Sequence, residues 1–334
     1  MDYSHPTGQE SRGAEEQRNN LASAPLLVIV GPTAVGKTAL SLRLAQDFNG
    51  EIISADSRQI YRGLDIGTDK PGPEQRALAP HHLLDVVDPD QVLTLAEFQE
   101  RAYAAIDTVH RRQRLPLLVG GTGQWVWSVV EGWGIPRVPP DPALRAELAA
   151  QAEAVGVEAL HVQLAKVDPG AAEKIDPRNV RRVIRALEVY HKSGVPISEH
   201  QRKSPPPYQM LLIGLTRPRR ALYQRVDQRI NEMMACGLLA EVKQLANAGY
   251  GWNQPAMSGL GYRQMGQYLR GEISLEEAVA LIKKETRRFV RQQYNWFRLD
   301  DPRIFWFEAK GELSEIYPAV VSLVKAWWQE ARRL

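Results

Sequence analysis

The chain has one cysteine among its 334 residues, Cys236. A lone thiol builds neither a disulfide framework nor a thiolate metal site, and its place in the apolar stretch Met233 to Leu239 predicts a small core side chain. Also missing is any apolar run approaching the ~20 residues of a membrane-spanning helix. Residues 1–24 are polar, rich in Glu, Gln, Asn and Arg, and lack the apolar region of a secretory signal. They read as a disordered tail on a cytoplasmic chain. Charge of one sign is scarce: 42 Lys and Arg against 39 Asp and Glu leave a net charge of +3, which names no acidic partner by itself. His81 and His82 have no Cys or His at ligand spacing, so they read as structural or surface residues.

With 44% hydrophobic residues the chain can bury a substantial core. Leu26 to Val30, Glu51 to Ala55, His82 to Val87 and Leu115 to Val119 are short apolar runs separated by amphipathic helical stretches. That alternation predicts an α/β fold with a parallel sheet flanked by helices. Gly134, Pro136, Pro139 and Pro140 mark one break, and Pro205-Pro206-Pro207 marks another. Between them Leu, Ala and Val recur at helical spacing over Pro142 to Val155, Gly156 to Lys166 and Val180 to His191, predicting an all-helical insertion domain. The expected division is therefore a tail (1–24), a first part of the sheet domain (25–131), the insertion (132–207), and a second part with basic C-terminal helices (208–334). The last part includes strands at Gln209 to Leu215 and Ile304 to Phe307.

The phosphate chemistry is concentrated in Gly31-Pro32-Thr33-Ala34-Val35-Gly36-Lys37-Thr38, set between a predicted strand and a predicted helix. Glycines let backbone N–H groups close on phosphate oxygens, Lys37 adds a charge, and the Thr38 hydroxyl can reach Mg²⁺ directly or through water. The helix N-terminus favours an anion at the same place. Alone, this P-loop admits ATP or another phosphate compound. Asp56-Ser57-Arg58-Gln59 and Gly120-Gly121-Thr122-Gly123 follow other strands and are expected to converge on it. Asp56 can serve as a turn or cap residue, or as a metal ligand or general base. The strand Leu115 to Val119 ends in glycines, where a typical P-loop ATPase carries a magnesium-binding Asp, so ATP hydrolysis loses weight. Asp85 and Asp88 are the weak alternatives for such a ligand.

Basic residues fall into three groups: Arg178, Arg181, Arg182 and Arg185; Arg217, Arg219, Arg220, Arg225 and Arg229; and Lys283, Lys284, Arg287, Arg288, Arg291 and Arg298. Plotted as a helix at ~100° per residue, Lys284, Arg287, Arg291 and Arg298 share a sector of about 60° with Tyr294 at its edge. Phe289, Val290, Trp296 and Phe297 are expected on a packed opposite face. A guanidinium stripe of this kind suits a nucleic-acid backbone, although a protein partner or plain solvation would use it too. Trp125 and Trp127 read as core.

These strings together resemble the tRNA dimethylallyltransferase (tRNA isopentenyltransferase) family over nearly all of the chain after Ala24. The resemblance rests on Gly31 to Thr38, Ile53 to Thr68, His82-Leu83-Leu84-Asp85, Gly120 to Gly123, and Gly261-Tyr262-Arg263-Gln264-Met265. It implies transfer of a dimethylallyl group from dimethylallyl diphosphate to N6 of the adenosine at tRNA position 37, in tRNAs reading codons that begin with uridine, with Mg²⁺ required. By the same resemblance Asp56 is the general base, and Lys37, Thr38, Thr122 and Arg229 complete the catalytic group around the diphosphate. The anticodon stem-loop is expected to touch Asp56, Ser57, Arg58, Gln59, Thr122, Arg145, Arg181, Arg182, Arg185, Ser258, Gly261, Tyr262, Arg263, Arg291, Gln292 and Arg298. The insertion would grip that stem-loop. Many members resemble a Lys-Arg-Gln-x-Thr-Trp run where this chain has Arg291-Gln292-Gln293-Tyr294-Asn295-Trp296, so Gln292 lacks the usual charge and one phosphate contact fewer is expected. A monomer without an obligate protein partner is expected. The alternatives from the residues alone are prenyl transfer to free adenine nucleotides and a P-loop nucleotide kinase.

Overall fold

The computed structural model describes residues 24–333, so all of the expected tail except Ala24 lies outside the described residues. In chain order the elements are β1 (Ala24–Val30), α1 (Lys37–Asp47), β2 (Gly50–Ser54), α2 (Pro73–Leu78), β3 (His81–His82), α3 (Leu95–Arg111), β4 (Leu115–Gly120) and α4 (Gly123–Val130). There follow α5 (Pro142–Val155), α6 (Val157–Val167), α7 (Pro169–Lys174), α8 (Val180–Ser193) and α9 (Ile197–His200). The chain then returns through β5 (Tyr208–Thr216), α10 (Arg219–Ala235), α11 (Leu238–Asn247), α12 (Tyr262–Leu269), α13 (Leu275–Trp296), β6 (Ile304–Glu308) and α14 (Leu313–Ala331). Among the described residues no helix is long and apolar enough to cross a membrane.

All strand pairs are parallel, in the order β3-β2-β4-β1-β5-β6. Central β1 runs Leu26-Leu27-Val28-Ile29-Val30 with every side chain buried, as a strand covered on both faces requires. The sheet and its flanking helices form one compact unit, which reaches Val126 and resumes at Pro207. Because β1, β2, β4 and β5 run the same way, the segments after Val30, Ser54, Gly120 and Thr216 all emerge at one end of the sheet.

The expected strand His82 to Val87 is a correction. Only His81–His82 pairs with β2, while Leu83 and Asp85 take left-handed φ values of 62° and 57° that end the extended run. The turn is held by its polar groups: Asp85 accepts from buried Lys70 at 2.7 Å and from Arg76 at 2.9 Å. Val87 alone recovers a parallel bridge, to Tyr61.

The second compact unit is Trp127–Pro206. Its core includes Leu148, Leu160, Leu164, Val183 and Leu187. Two buried carboxylates organise it. Asp168 caps α7 by accepting the Ala171 N–H at 2.9 Å and also accepts the Ser198 N–H at 3.0 Å. Glu188, fully buried, accepts from the Asp141 N–H, from Arg145 through two bonds of 2.7 and 2.8 Å, and from Arg185 at 2.5 Å.

Candidate active site

The P-loop leaves β1 through Gly31, whose φ of 142° and lack of Cβ are both needed: a Cβ there would lie 2.5 Å from the Leu215 carbonyl oxygen. Gly36 caps α1 in the left-handed region. Lys37 folds back on the loop, donating from Nζ to the Gly31 and Pro32 carbonyls at 2.9 and 2.8 Å. Burial pushes its pKa down to about 8, with Asp56 opposing that shift and Arg229 adding to it. From outside, Arg225 donates to the Ala34 carbonyl and Arg217 to the Val35 carbonyl, each at 3.0 Å. Two arginines of the second basic group are thus loop supports.

Beside the loop is a cavity of about 300 Å³. Its polar wall contains Thr33, Asp56, Ser57, Thr122 and Arg229, and its apolar wall contains Val226, Ile230, Met233, Leu238, Ile282 and Phe289. Asp56 follows β2 and accepts the Arg58 N–H at 2.8 Å, so one oxygen closes a local turn while the carboxylate lines the cavity. The segments after β2 and β4 are tied together by Thr122, which accepts the Ser57 N–H at 3.2 Å and donates to the Ser57 hydroxyl at 3.4 Å. They can approach this closely because Gly120 lacks a side chain; a Cβ there would meet the Ala55 carbonyl oxygen at 2.2 Å.

Arg58 bonds the Pro255 carbonyl at 2.7 Å, bringing Ser258, Gly261 and Arg263 to the same cavity. Arg263 is ion-paired with Glu285. Tyr262 also lines this cavity, with its ring 1% exposed; burial pushes its phenol pKa far up, and its hydroxyl donates to Glu241 at 2.5 Å. Gln59 is turned inward as a brace, donating to the Thr68 and Asp69 carbonyls at 3.2 Å each. Arg229 pairs with Asp69 at 3.2 Å, and its buried Nε has no hydrogen-bond partner.

Helix α13 differs from expectation in two respects. It ends at Trp296, so Arg298 lies beyond the helix and pairs with Asp300 at 2.9 Å. Its inner face also carries polar groups. Ile282, Thr286, Phe289 and Gln293 line the cavity, Val290 and Phe297 are buried, and Trp296 is 39% exposed. Outward, Arg287 pairs with Asp227, and Arg291 donates to the Tyr223 hydroxyl at 3.1 Å. Arg291 and Arg298 line a separate cavity of about 660 Å³ with Tyr223 and Tyr294, and Gln292 is exposed. Arg145, Arg181, Arg182 and Arg185 belong to the helical unit, where Arg181 and Arg182 are exposed.

Other expectations resolve locally. Asp85 is paired with Lys70 and Arg76, and Asp88 with Arg62. His81 bonds the Ala79 carbonyl and His82 bonds Glu51, both structural. Trp125 and Trp127 are buried. Cys236 is corrected: it is exposed at the C-terminal cap of α10, where the helix has ended and its face no longer points inward. Among the described residues no group of three or more His, Cys, Asp or Glu side chains can hold a metal ion.

Residues 59–300 match the IPP transferase family model. The chain belongs to the IPP transferase family. It is 53% identical over 303 residues to the tRNA dimethylallyltransferase of Roseiflexus sp. (strain RS-1), covering 91% of this chain and 98% of that one. The crystal structure of the full-length tRNA isopentenylpyrophosphate transferase from Bacillus halodurans is similar, with TM-score 0.70 and 39% identity, covering 92% of this chain and 98% of that one. A eukaryotic dimethylallyltransferase captured acting on tRNA gives TM-score 0.77 and 28% identity, covering 90% and 78%. An IPP transferase is an enzyme of prenyl transfer.

Two buried polar residues, one at this site and one behind it, were not singled out by the sequence pattern. Gln293, 3% exposed, accepts the Thr33 N–H and donates to the Gly121 carbonyl, both at 2.9 Å, locking the P-loop to the glycine pair. Glu241, also buried, holds the turn at Asp65 to Gly67. The available signal for Gln293 was the series Ile282, Thr286, Phe289, Gln293 at helical spacing, with polar groups on an otherwise apolar stripe.

Proposed function

We propose that this IPP transferase moves a dimethylallyl group from dimethylallyl diphosphate to N6 of the adenosine at position 37 of tRNAs reading codons that begin with uridine, giving N6-(dimethylallyl)adenosine and diphosphate. The observation that carries this reading is that one cavity is lined both by Asp56, Thr122 and Arg229 and by the apolar Val226, Ile230, Met233, Leu238 and Ile282. A phosphoryl-transfer site needs no such wall. A five-carbon prenyl chain attached to a diphosphate needs both surfaces.

In this reading the P-loop amides, Lys37 and Arg229 hold the diphosphate and stabilise the charge that develops as the carbon–oxygen bond breaks. The buried, unpartnered Arg229 Nε supplies a donor for it. Val226, Ile230 and Met233 cover the prenyl chain and exclude water from a carbon centre that water would otherwise trap. The adenine N6 lone pair attacks that carbon, the carbon–nitrogen bond forms, and Asp56 accepts the N6 proton. Thr122 and Ser57, joined by hydrogen bonds, position the base and the Asp56 turn. The target base leaves its stack to enter the site, at small cost in a single-stranded anticodon loop.

The donor set fits Mg²⁺ held mainly by substrate: the Thr38 hydroxyl stands in the first turn of α1, and Mg²⁺ retains waters and takes its other ligands from phosphate. When bound, the ion neutralises part of the diphosphate charge. Exposed Arg181 and Arg182, with Arg145, Arg185, Arg263, Arg291 and Arg298, are proposed as contacts to the stem-loop backbone.

The test supplies isotopically labelled dimethylallyl diphosphate with an anticodon stem-loop, AMP or ATP as acceptor. Label is expected on the stem-loop and is lost when the target adenosine is replaced by guanosine. Label on AMP, or phosphate release from ATP without prenyl transfer, contradicts the reading.

A further inference from the structure

Glu241 lies on α11 among Leu238, Val242 and Leu245, and is only 8% exposed. A buried carboxylate is tolerated when its lone pairs are filled. Here Oε2 accepts the N–H groups of Asp65 and Ile66 at 2.9 and 2.7 Å, and Oε1 accepts the Gly67 N–H at 3.1 Å and the Tyr262 hydroxyl at 2.5 Å. Three successive peptide N–H groups converging on one anion form a backbone nest, filled in this chain by its own side chain. The same turn is held from its other side. Gln59 donates to the Thr68 and Asp69 carbonyls, and Lys70 donates to the Tyr61 carbonyl and to Asp65 at 2.7 and 2.6 Å. Gly67 packs so closely that a Cβ would lie 2.5 Å from the Tyr262 ring.

The end of this turn carries Asp69, in the left-handed region at φ 52°, and Asp69 pairs with Arg229. The Asp69 side chain is 57% exposed. An exposed ion pair is weak, so its hold on the Arg229 guanidinium depends on how firmly the backbone presents Asp69. Glu241 is not among the residues lining the cavity.

We infer that Glu241 is a positioning residue for the diphosphate end of the site: by filling the nest at Asp65 to Gly67 it fixes Asp69, and Asp69 fixes Arg229. This rests on the reading above only in assigning Arg229 to the diphosphate. The inference predicts that Glu241 governs diphosphate binding and departure, with little bearing on RNA affinity.

The experiment measures inorganic diphosphate binding by calorimetry, stem-loop binding, and kcat and KM for the prenyl donor in the intact chain. The proteins compared are wild type, Glu241→Gln, Asp69→Asn and the double variant. Glu241→Gln is expected to weaken diphosphate binding about tenfold and to lower kcat, with stem-loop affinity within about twofold. The double variant is expected to be no worse than the poorer single one, because both changes act through Arg229. Tyr262→Phe removes one of the four bonds to Glu241 and keeps the ring. It is expected to produce a smaller loss in the same direction, and supplies the test if Glu241→Gln does not fold. Equal losses of diphosphate and RNA binding, or losses that multiply in the double variant, overturn the inference. Failure of wild type to prenylate the stem-loop while Glu241→Gln still weakens diphosphate binding would count against the proposed function and leave the positioning role standing.

Discussion

The P-loop site of the sheet unit and the helical unit treat their charged groups in different ways. Around the P-loop, Lys37 is partly buried with a depressed pKa, the Arg229 Nε is buried without a hydrogen-bond partner, and Asp56 lines the cavity. A bound anion would restore charge pairing to Lys37 and to the Arg229 Nε. In the helical unit, Arg145 and Arg185 are matched to buried Glu188, Arg178 to Asp176, and Arg181 and Arg182 stand in solvent. That arrangement gives a stable core and a screened surface field. The difference implies steep, specific losses from changes at the first unit and graded, salt-dependent losses at the second.

The largest effect that can sharpen this contrast outside the reacting groups is expected at Gln293. Gln293→Leu removes the acceptor for the partly buried Thr33 N–H and the donor to the buried Gly121 carbonyl. Steady-state kinetics should show kcat/KM for the donor reduced by about 10–100-fold, since losing the two bonds costs on the order of 1.4–2.7 kcal/mol. Glu241→Gln follows at about tenfold in diphosphate affinity.

Next comes pH. The Lys37 pKa in the free enzyme, about 8, lies below its ordinary value, so the ammonium is lost as pH rises through about 8. Bound diphosphate favours the charged form, so affinity should be level below that pH and fall above it, towards about tenfold per pH unit, with proton uptake on binding. A donor affinity flat from pH 7 to about 9.5 would remove Lys37 from diphosphate binding.

The smallest effects are expected in the helical unit. Arg181→Ala and Arg182→Ala should each weaken stem-loop binding by only a few-fold and reduce the salt slope by about one, with kcat unchanged at saturating RNA. A kcat loss in either variant would break the proposed contrast between the units.

The parallel sheet was legible because strands buried on both faces need continuous apolar runs, and Leu26 to Val30 and Leu115 to Val119 have them. His82 to Val87 carries a similar run, but Leu83 and Asp85 turn left-handed, and Asp85 is held by Lys70 and Arg76, partners in three dimensions that a linear pattern does not reveal. At the site, the P-loop, Asp56 and Thr122 were visible as short strings after strands. Gln293 and Glu241 were not, because each is a single polar residue on an amphipathic helix and ordinarily faces solvent. Their burial follows from what packs over them. Cys236 failed for a related reason: helical spacing was continued past the point where α10 stops.

Asp56→Ala shows whether the sheet unit holds the substrates with one set of groups and moves the proton with another, when single-turnover prenyl transfer is measured alongside equilibrium binding of the stem-loop and of dimethylallyl diphosphate. The account predicts both affinities within a few-fold of wild type and a transfer rate lower by about 10²–10⁴-fold, the range for loss of a general base. Equal loss of binding and of transfer would contradict it and return Asp56 to the role of a turn residue.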